Sequence, residues 1–240
     1  MDMSPADDRK EVAIEPAREQ TSDAEQLGWR FALGTILIVG GYGAWGDGCM
    51  AKDVLSRRLA VIVAADMVGY SRLMETDEAG TLDQLRAIRN ELIDPKIAEH
   101  RGRLVKTTDD GLLIEFGSVT EAVQSALDIQ EAMTQRNAAV PPARRLQFRM
   151  GINLGEIITE GEDIYGTGVN VAARLEFLAE PGGICISASV HEQIQSLQGL
   201  GFEDLGDQIV KNLSRPVRSF ALRATSSGAV AFQRISRAHA

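Results

Sequence analysis

Arg58-Leu-Ala-Val-Ile-Val-Ala-Ala-Asp66-Met-Val-Gly69-Tyr-Ser71 and Arg103-Leu-Val-Lys-Thr-Thr-Asp-Asp110-Gly-Leu-Leu-Ile-Glu-Phe116 decide how this chain is read. In each, a run of strand-forming residues leads to an aspartate, and turn chemistry follows at once. A carboxylate at the exit of a buried strand, beside a glycine, is a place where a protein can hold a divalent cation against a phosphate. Two such carboxylates make a two-metal site the hypothesis to pursue.

Outward from these stretches the pattern is regular. The strand at 59–66 leads through a turn to a helix with Leu82, Leu85, Ile88 and Leu92 on one face, and Pro95 ends or kinks it. Strands at 103–108 and 111–116 read as a hairpin, and Ser118-Val-Thr-Glu121 reads as a capping box. The helix it opens carries Val123, Ala126, Leu127 and Met133, and Pro141-Pro142 marks the next loop. Strands at 146–153 and 155–160, a helix over 167–179 and a strand at 183–187 come next. A short helix and strands near 202–210 and 216–223 complete the series. The order β-α-β-β-α-β inside it predicts an α+β fold, a ferredoxin-like sandwich with extra C-terminal elements.

The 240 residues are 44% hydrophobic and 25% charged, an ordinary soluble composition with room for one substantial core. The net charge of -9 argues against a nucleic-acid binder. Eight acids against three bases fall within residues 1–27, a net of -5, so the remainder is only mildly acidic. An anionic substrate therefore needs metal and locally placed Lys or Arg. Cys49 and Cys185 form neither a disulfide framework nor a zinc spacing, and a reducing, cytoplasmic setting fits them. His100, His191 and His239 are scattered and read as surface residues.

Three regions are expected: an N-terminal segment over 1–57, a folded domain over 58–223 and a tail over 224–240. Residues 1–27 are charged and aperiodic, as in disordered segments. The apolar stretch from Phe31 to Trp45 is shorter than the roughly 20 residues that a membrane span prefers. Two readings of it stay open: translation begins at Met50, or the stretch is a weak membrane anchor with a cytoplasmic C-terminal side.

Each polar motif has a plain reading beside the chemical one. Gly69-Tyr70-Ser71 lets backbone N–H groups approach a phosphate, or Asp66 is simply a cap. Asp109-Asp110-Gly111 is also ordinary turn chemistry, although the apolar Leu112-Leu-Ile-Glu-Phe116 strand fixes where the tip points. Lys106 is an edge-strand charge or a ligand. Gly166 and Gly168 precede a helix on which Asn170 and Arg174, spaced i, i+4, share one face and can reach one anion. The plain alternative is an exposed polar stripe. Together these segments collect polar groups suited to one triphosphate.

The stretch from Arg58 to Arg223 resembles the catalytic domain of class III nucleotidyl cyclases, the adenylate/guanylate cyclase family. The resemblance rests on Ala65-Asp66-Met-Val-Gly69-Tyr-Ser71, Val105-Lys106-Thr-Thr-Asp-Asp110-Gly111, Asp163-Ile-Tyr-Gly166 with Val169-Asn170-Val-Ala-Ala-Arg174, and Asp204-Leu-Gly-Asp-Gln-Ile-Val-Lys211, in order. It implies that Asp66 and Asp110, helped by the Met67 carbonyl, ligate two Mg²⁺ or Mn²⁺ ions. It further implies that Lys106 and Asp163 read adenine, Asn170 orients the ribose, Arg174 stabilises the α-phosphate and Lys211 neutralises the β- and γ-phosphates. A guanine-selective member is expected to carry Glu- and Cys-like residues at positions 106 and 163. ATP is therefore the expected substrate, cyclic AMP and pyrophosphate the products, and a head-to-tail homodimer with two composite sites the expected assembly.

Two departures stand out. Asp109 occupies a position where the family usually has glycine, and residues 154–162 contain no arginine of the kind some relatives use on phosphate. Two other readings compete. A non-catalytic, nucleotide-binding regulatory module would be expected to have lost one of the metal, ribose or phosphate residues. A diguanylate-cyclase-type enzyme would carry a GG-[DE]-E-F run, which is absent from the sequence.

Overall fold

The computed structural model describes residues 56–209 and 216–224. The apolar stretch at 31–45, Cys49, His239 and the tail beyond 224 lie outside the described residues, and so does Lys211. Among the described residues no helix is long and apolar enough to cross a membrane.

Strand β1 (Ser56–Met67) is buried from Ala60 to Ala65, on both faces, and that explains its unbroken apolar sequence. It is flanked by β3 (Gly111–Phe116) and β4 (Phe148–Glu160), both antiparallel to it. With β2 (Arg103–Thr107) outside β3, the order β2-β3-β1-β4 forms the ferredoxin-like part. Strands β6 (Ile184–Ser187), β8 (Val217–Ala224) and β7 (Leu200–Gln208) extend the sheet beyond β4. A short β5 (Asp163–Tyr165) folds back on the far end of β4. The β4–β6 pair is parallel, and the other pairs are antiparallel.

The side-chain alternation of β1 divides the molecule. Val61, Val63, Ala65 and Met67 enter the larger core, beneath α2 (Glu78–Ile88), α3 (Asp94–Glu99), α4 (Val119–Asn137) and α6 (Ala188–Ile194). Ala60, Ile62 and Ala64 face the other way, into a smaller cluster with Leu113, Ile157, Ile164, Val169 and Ala172. Among the described residues one helix, α5 (Thr167–Leu178), supplies that side. It can do so because glycines let backbone meet backbone. A Cβ on Gly151 would stand 2.1 Å from both Ala172 O and Glu176 N, and one on Gly168 would stand 2.7 Å from Glu156 O.

Several sequence expectations are corrected. The two strands expected at 146–153 and 155–160 are one continuous β4, since Gly155 serves close approach to Gly168 rather than a break. Pro95 does not stop the helix before it. A π-helical turn, Arg89–Ile93, joins α2 to α3, where Pro95 sits in the first turn and needs no N–H partner. Ser118 is the N-cap of α4 without a side-chain cap bond, so the capping box is not made. Glu121 is engaged elsewhere, 3.1 Å from His100 Nδ1.

Two histidines expected at the surface are also packed. His100 is buried, with Nε2 3.1 Å from Asp128. His191 stacks on Phe220 at 4.0 Å between ring centroids.

Candidate active site

Asp66 closes β1 on the face that α5 covers, in register with Gly111 on one side and Arg149 on the other. Immediately after it the chain is tied down by backbone bonds. Met67 N donates to Asp110 O at 3.0 Å, and Val68 N donates to Gln147 O at 2.8 Å. The hairpin tip is closed by Thr108, whose N donates to Gly111 O and whose Oγ1 accepts from Gly111 N, both at 2.9 Å. These bonds bring the two aspartates to one place from strands far apart in sequence.

Their proximity shows in the protonation of Asp110. The Asp110 carboxyl lies above its usual range, through burial first and the neighbouring Asp66 carboxylate second. Asp109 adds to the same field from the exposed side. It needs no left-handed backbone: among the described residues Arg101 is the one non-glycine at positive φ. Gly69, at φ +71, opens α1 (Tyr70–Thr76). Tyr70 stands close enough that burial and then the charges of Asp109 and Asp110 hold its hydroxyl above the usual range. Ser71 is exposed at the start of that helix.

Two residues that sequence reasoning missed complete this end. Arg149 Nη2 donates to Asp66 Oδ2 at 2.6 Å. Its Nε lies 3.3 Å from Glu176 Oε1, an ion-pair contact without hydrogen-bond alignment, since Arg149 Nε and both Glu176 oxygens lack such a partner. The Glu176 side chain is only 1% exposed. Burial, then the charges of Asp66 and Asp110, push it up to about 8 against the opposing effect of Arg149. A signal for Glu176 existed: it lies seven residues after Val169 and four after Ala172, on the buried stripe of α5. Arg149 had none, because only strand register places it opposite Asp66.

The second group lies where β2 meets β5. Lys106 Nζ donates to Asp163 Oδ2 at 3.1 Å, and Tyr165 Oη donates to the same oxygen at 2.9 Å. Ile164 N donates to Asp163 Oδ1 at 2.9 Å. Burial works to raise the Asp163 carboxyl, but these bonds and the Lys106 charge outweigh it and hold the group below the usual range. On α5, Asn170 and Arg174 are both exposed, and the Arg174 guanidinium sits 5.3 Å from the Phe177 ring centroid. Asp66, Met67 and Asp110 thus come together, and so do Lys106 and Asp163. No hydrogen bond or ion pair among the described residues links the two groups.

The donor chemistry at Asp66 and Asp110 suits a hard divalent cation. Two carboxylates face one another at a half-buried strand end, and a cation between them would relieve the repulsion that raises Asp110. A second acidic cluster, Glu99, His100 and Asp128, does not offer the same. Both His100 ring nitrogens meet carboxylates at 3.1 Å, so both must donate, and an imidazolium has no lone pair for metal.

The sequence model of the adenylate and guanylate cyclase catalytic domain matches residues 57–224. The chain belongs to that family. A crystal structure of an adenylate/guanylate cyclase/hydrolase from Silicibacter pomeroyi is 50% identical to this cyclase domain, with a TM-score of 0.66, covering 70% of this chain and 97% of that one. A Rhizobium meliloti (strain 1021) protein, whose name assigns it provisionally to the adenylate cyclases, is 49% identical over 168 residues, 70% of this chain and 29% of the relative. The adenylyl cyclase CyaB of P. aeruginosa, at 24% identity and a TM-score of 0.63, shares the fold, over 72% of this chain and 98% of its own. An adenylate cyclase of Streptomyces coelicolor is 33% identical over 60% of this chain and 36% of its own length. This cyclase chain therefore spans about a third of the length of these two curated relatives.

Proposed function

We propose that this chain is an adenylate cyclase that converts ATP to 3′,5′-cyclic AMP and pyrophosphate at sites shared between two copies. The observation that carries the reading is the completeness of two separate half-sites in one chain. Asp66 and Asp110 make an acidic pair at one strand end, while Lys106 and Asp163 make an ion pair at another. In a head-to-tail homodimer the acidic pair of one protomer would face the ion pair of its partner.

Asp66 and Asp110, with the carbonyl of Met67, would hold two Mg²⁺ or Mn²⁺ ions, which supply activation of the ribose 3′-hydroxyl and neutralisation of phosphate charge. Lys106 would donate to adenine N1, and Asp163, held ionised, would accept from the exocyclic amine. Asn170 would orient the ribose from the exposed face of α5. As the 3′-oxygen bonds to the α-phosphorus and the bond to the bridging oxygen breaks, Arg174 would stabilise charge on the α-phosphoryl oxygens. Lys211, outside the described residues, would meet the departing pyrophosphate. Gly69, Tyr70 and Ser71 would line the phosphate side.

Mixing tests the shared site. Asp66→Ala and Lys106→Ala chains should each be inactive alone, and their heterodimer should regain one intact site. Continued silence from a demonstrated heterodimer would refute the assembly. ATP and GTP, each offered with Mg²⁺ and with Mn²⁺, test the base, and cyclic GMP as the main product would overturn the adenine assignment.

A further inference from the structure

Within the base-reading group, Asp163 is held by more than its lysine. Tyr165 lies two residues along β5, so its side chain emerges on the same face of the strand. Its hydroxyl donates to Asp163 Oδ2 at 2.9 Å, beside the 3.1 Å bond from Lys106 to the same oxygen. The other oxygen accepts from Ile164 N at 2.9 Å. A carboxylate offers about four acceptor positions. Three are taken by donors of the chain itself, which fixes the plane of the group and leaves one position, on Oδ1.

We propose that Tyr165 is a specificity-determining positioning residue: by occupying the last spare position on Asp163 Oδ2 it leaves a single, fixed acceptor that matches one N–H donor, the exocyclic amine of a 6-aminopurine. The inference rests on the adenine-reading roles proposed for Lys106 and Asp163. Lysine alone does not achieve this fixing, because its ammonium rides on a flexible four-carbon stem. The tyrosine approaches from a short strand hydrogen-bonded to β4 through Ile158↔Tyr165 and Glu160↔Asp163. A 6-keto purine would set a carbonyl oxygen against the spare lone pair, and a site built for a donor rejects such an analogue strongly. The bond to Asp163 also holds the Tyr165 hydroxyl above its usual range, so it stays a donor at neutral pH.

Tyr165→Phe removes one oxygen from a side chain that is 45% exposed, which spares the fold. Three triphosphates separate the possibilities: ATP, GTP and purine riboside triphosphate, which lacks the exocyclic amine. The variant is expected to raise the KM for ATP about fivefold to tenfold with kcat within about twofold, and to narrow the preference for ATP over GTP. With purine riboside triphosphate the KM should change by less than about twofold, since no amine is there to be misplaced. Binding of 3′-deoxy-ATP, which cannot cyclise, should weaken by the same factor as the KM for ATP. Equal effects on ATP and purine riboside triphosphate, or no effect on either, would overturn the proposal. Asp163→Ala runs alongside. If it abolishes the preference for ATP over purine riboside triphosphate while Tyr165→Phe does nothing, the tyrosine inference alone fails. If Asp163→Ala leaves that preference intact, the adenine-reading assignment fails and the role of Tyr165 fails with it.

Discussion

The two faces of the sheet are covered in opposite ways. On one, several helices lie over a broad aliphatic core that takes Val61, Val63, Ala65 and Met67 from β1. On the other, α5 is the single helix among the described residues, pressed onto β4 through Gly151, Gly155 and Gly168, and Asp66, Arg149 and Glu176 sit at its edge. The first face stabilises by area, at about 25 cal/mol for each Å² of apolar surface buried. The second gives up side-chain volume for close backbone contact, and it carries charges that disfavour one another. The difference teaches where the proposed chemistry would sit: on the face that α5 covers, where polar groups can be held without breaking the main core.

The largest expected effect tests that division at the acidic pair. Asp110→Ala should lower cyclic nucleotide formation by at least about a hundredfold. In metal-free buffer the same variant should melt no lower than the parent, because it removes a carboxylate that burial and Asp66 both disfavour. A lower melting temperature would mean that the pair stabilises the fold and the contrast between faces is overstated.

Glu176→Gln sharpens the contrast through pH. The Glu176 carboxyl is raised from 4.5 to about 8 in the folded chain, so between those values the native state keeps a proton that the unfolded state has lost. The contribution of this carboxyl to native stability is therefore greatest below the unfolded value and falls as pH rises, levelling off above about 8. The substitution should remove on the order of 3 kcal/mol of that slope between roughly pH 5 and 8, read by denaturant unfolding with chelator present. The charged groups beside it are Asp66, Asp110 and Arg149, so the same titration in Asp110→Ala should shift downward.

Backbone contact under α5 comes next. Gly151→Ala would put a methyl group 2.1 Å from Ala172 O and Glu176 N, atoms that cannot rotate away. A loss of about 2–3 kcal/mol, or roughly 5–10 °C in melting temperature, is expected. Gly117→Ala, with nothing within 4 Å, is the control and should be near neutral.

The smallest effect lies on the aliphatic side, where His100 is held between Glu121 and Asp128. Its hydrogen bond to Asp128, opposed by burial and aided by Glu121, raises its proton affinity. Lys96 also stands 3.8 Å from Asp128. The contribution is full below the unfolded value near 6.5 and is lost as pH climbs through the higher folded value. His100→Gln should cost about 1 kcal/mol at pH 6 and progressively less above pH 7 in thermal melts.

Much of this was legible in the sequence because local pattern and tertiary role agreed. Unbroken apolar runs marked β1 and β3, the Asp109-Asp110-Gly111 turn marked the hairpin, and Asn170 and Arg174 fell on one face of the helix expected there. The failures share a cause. Glu121 had a local capping partner in prospect and was taken instead by His100, 21 residues away. The gap expected between strands at 146–153 and 155–160 is continuous β4, where Gly155 passes close to Gly168 of α5. Arg149 carried no local signal, and only strand pairing sets it against Asp66. Each depends on a contact between distant segments, which no window of sequence contains.

The long pairing of β1 with β4, from Ser56↔Thr159 to Met67↔Phe148, has one more consequence. Side chains along a strand alternate between faces, so strand position works as a parity. A slip of one residue, or a single insertion within β1, would turn Asp66 from the α5 side into the aliphatic core and set Ala65 or Met67 in its place. Such an error cannot be absorbed gradually: the carboxylate is either on the face with Asp110 or buried among methyl groups. The meeting of Asp66 with Asp110 is thus encoded digitally, as an even count along a strand.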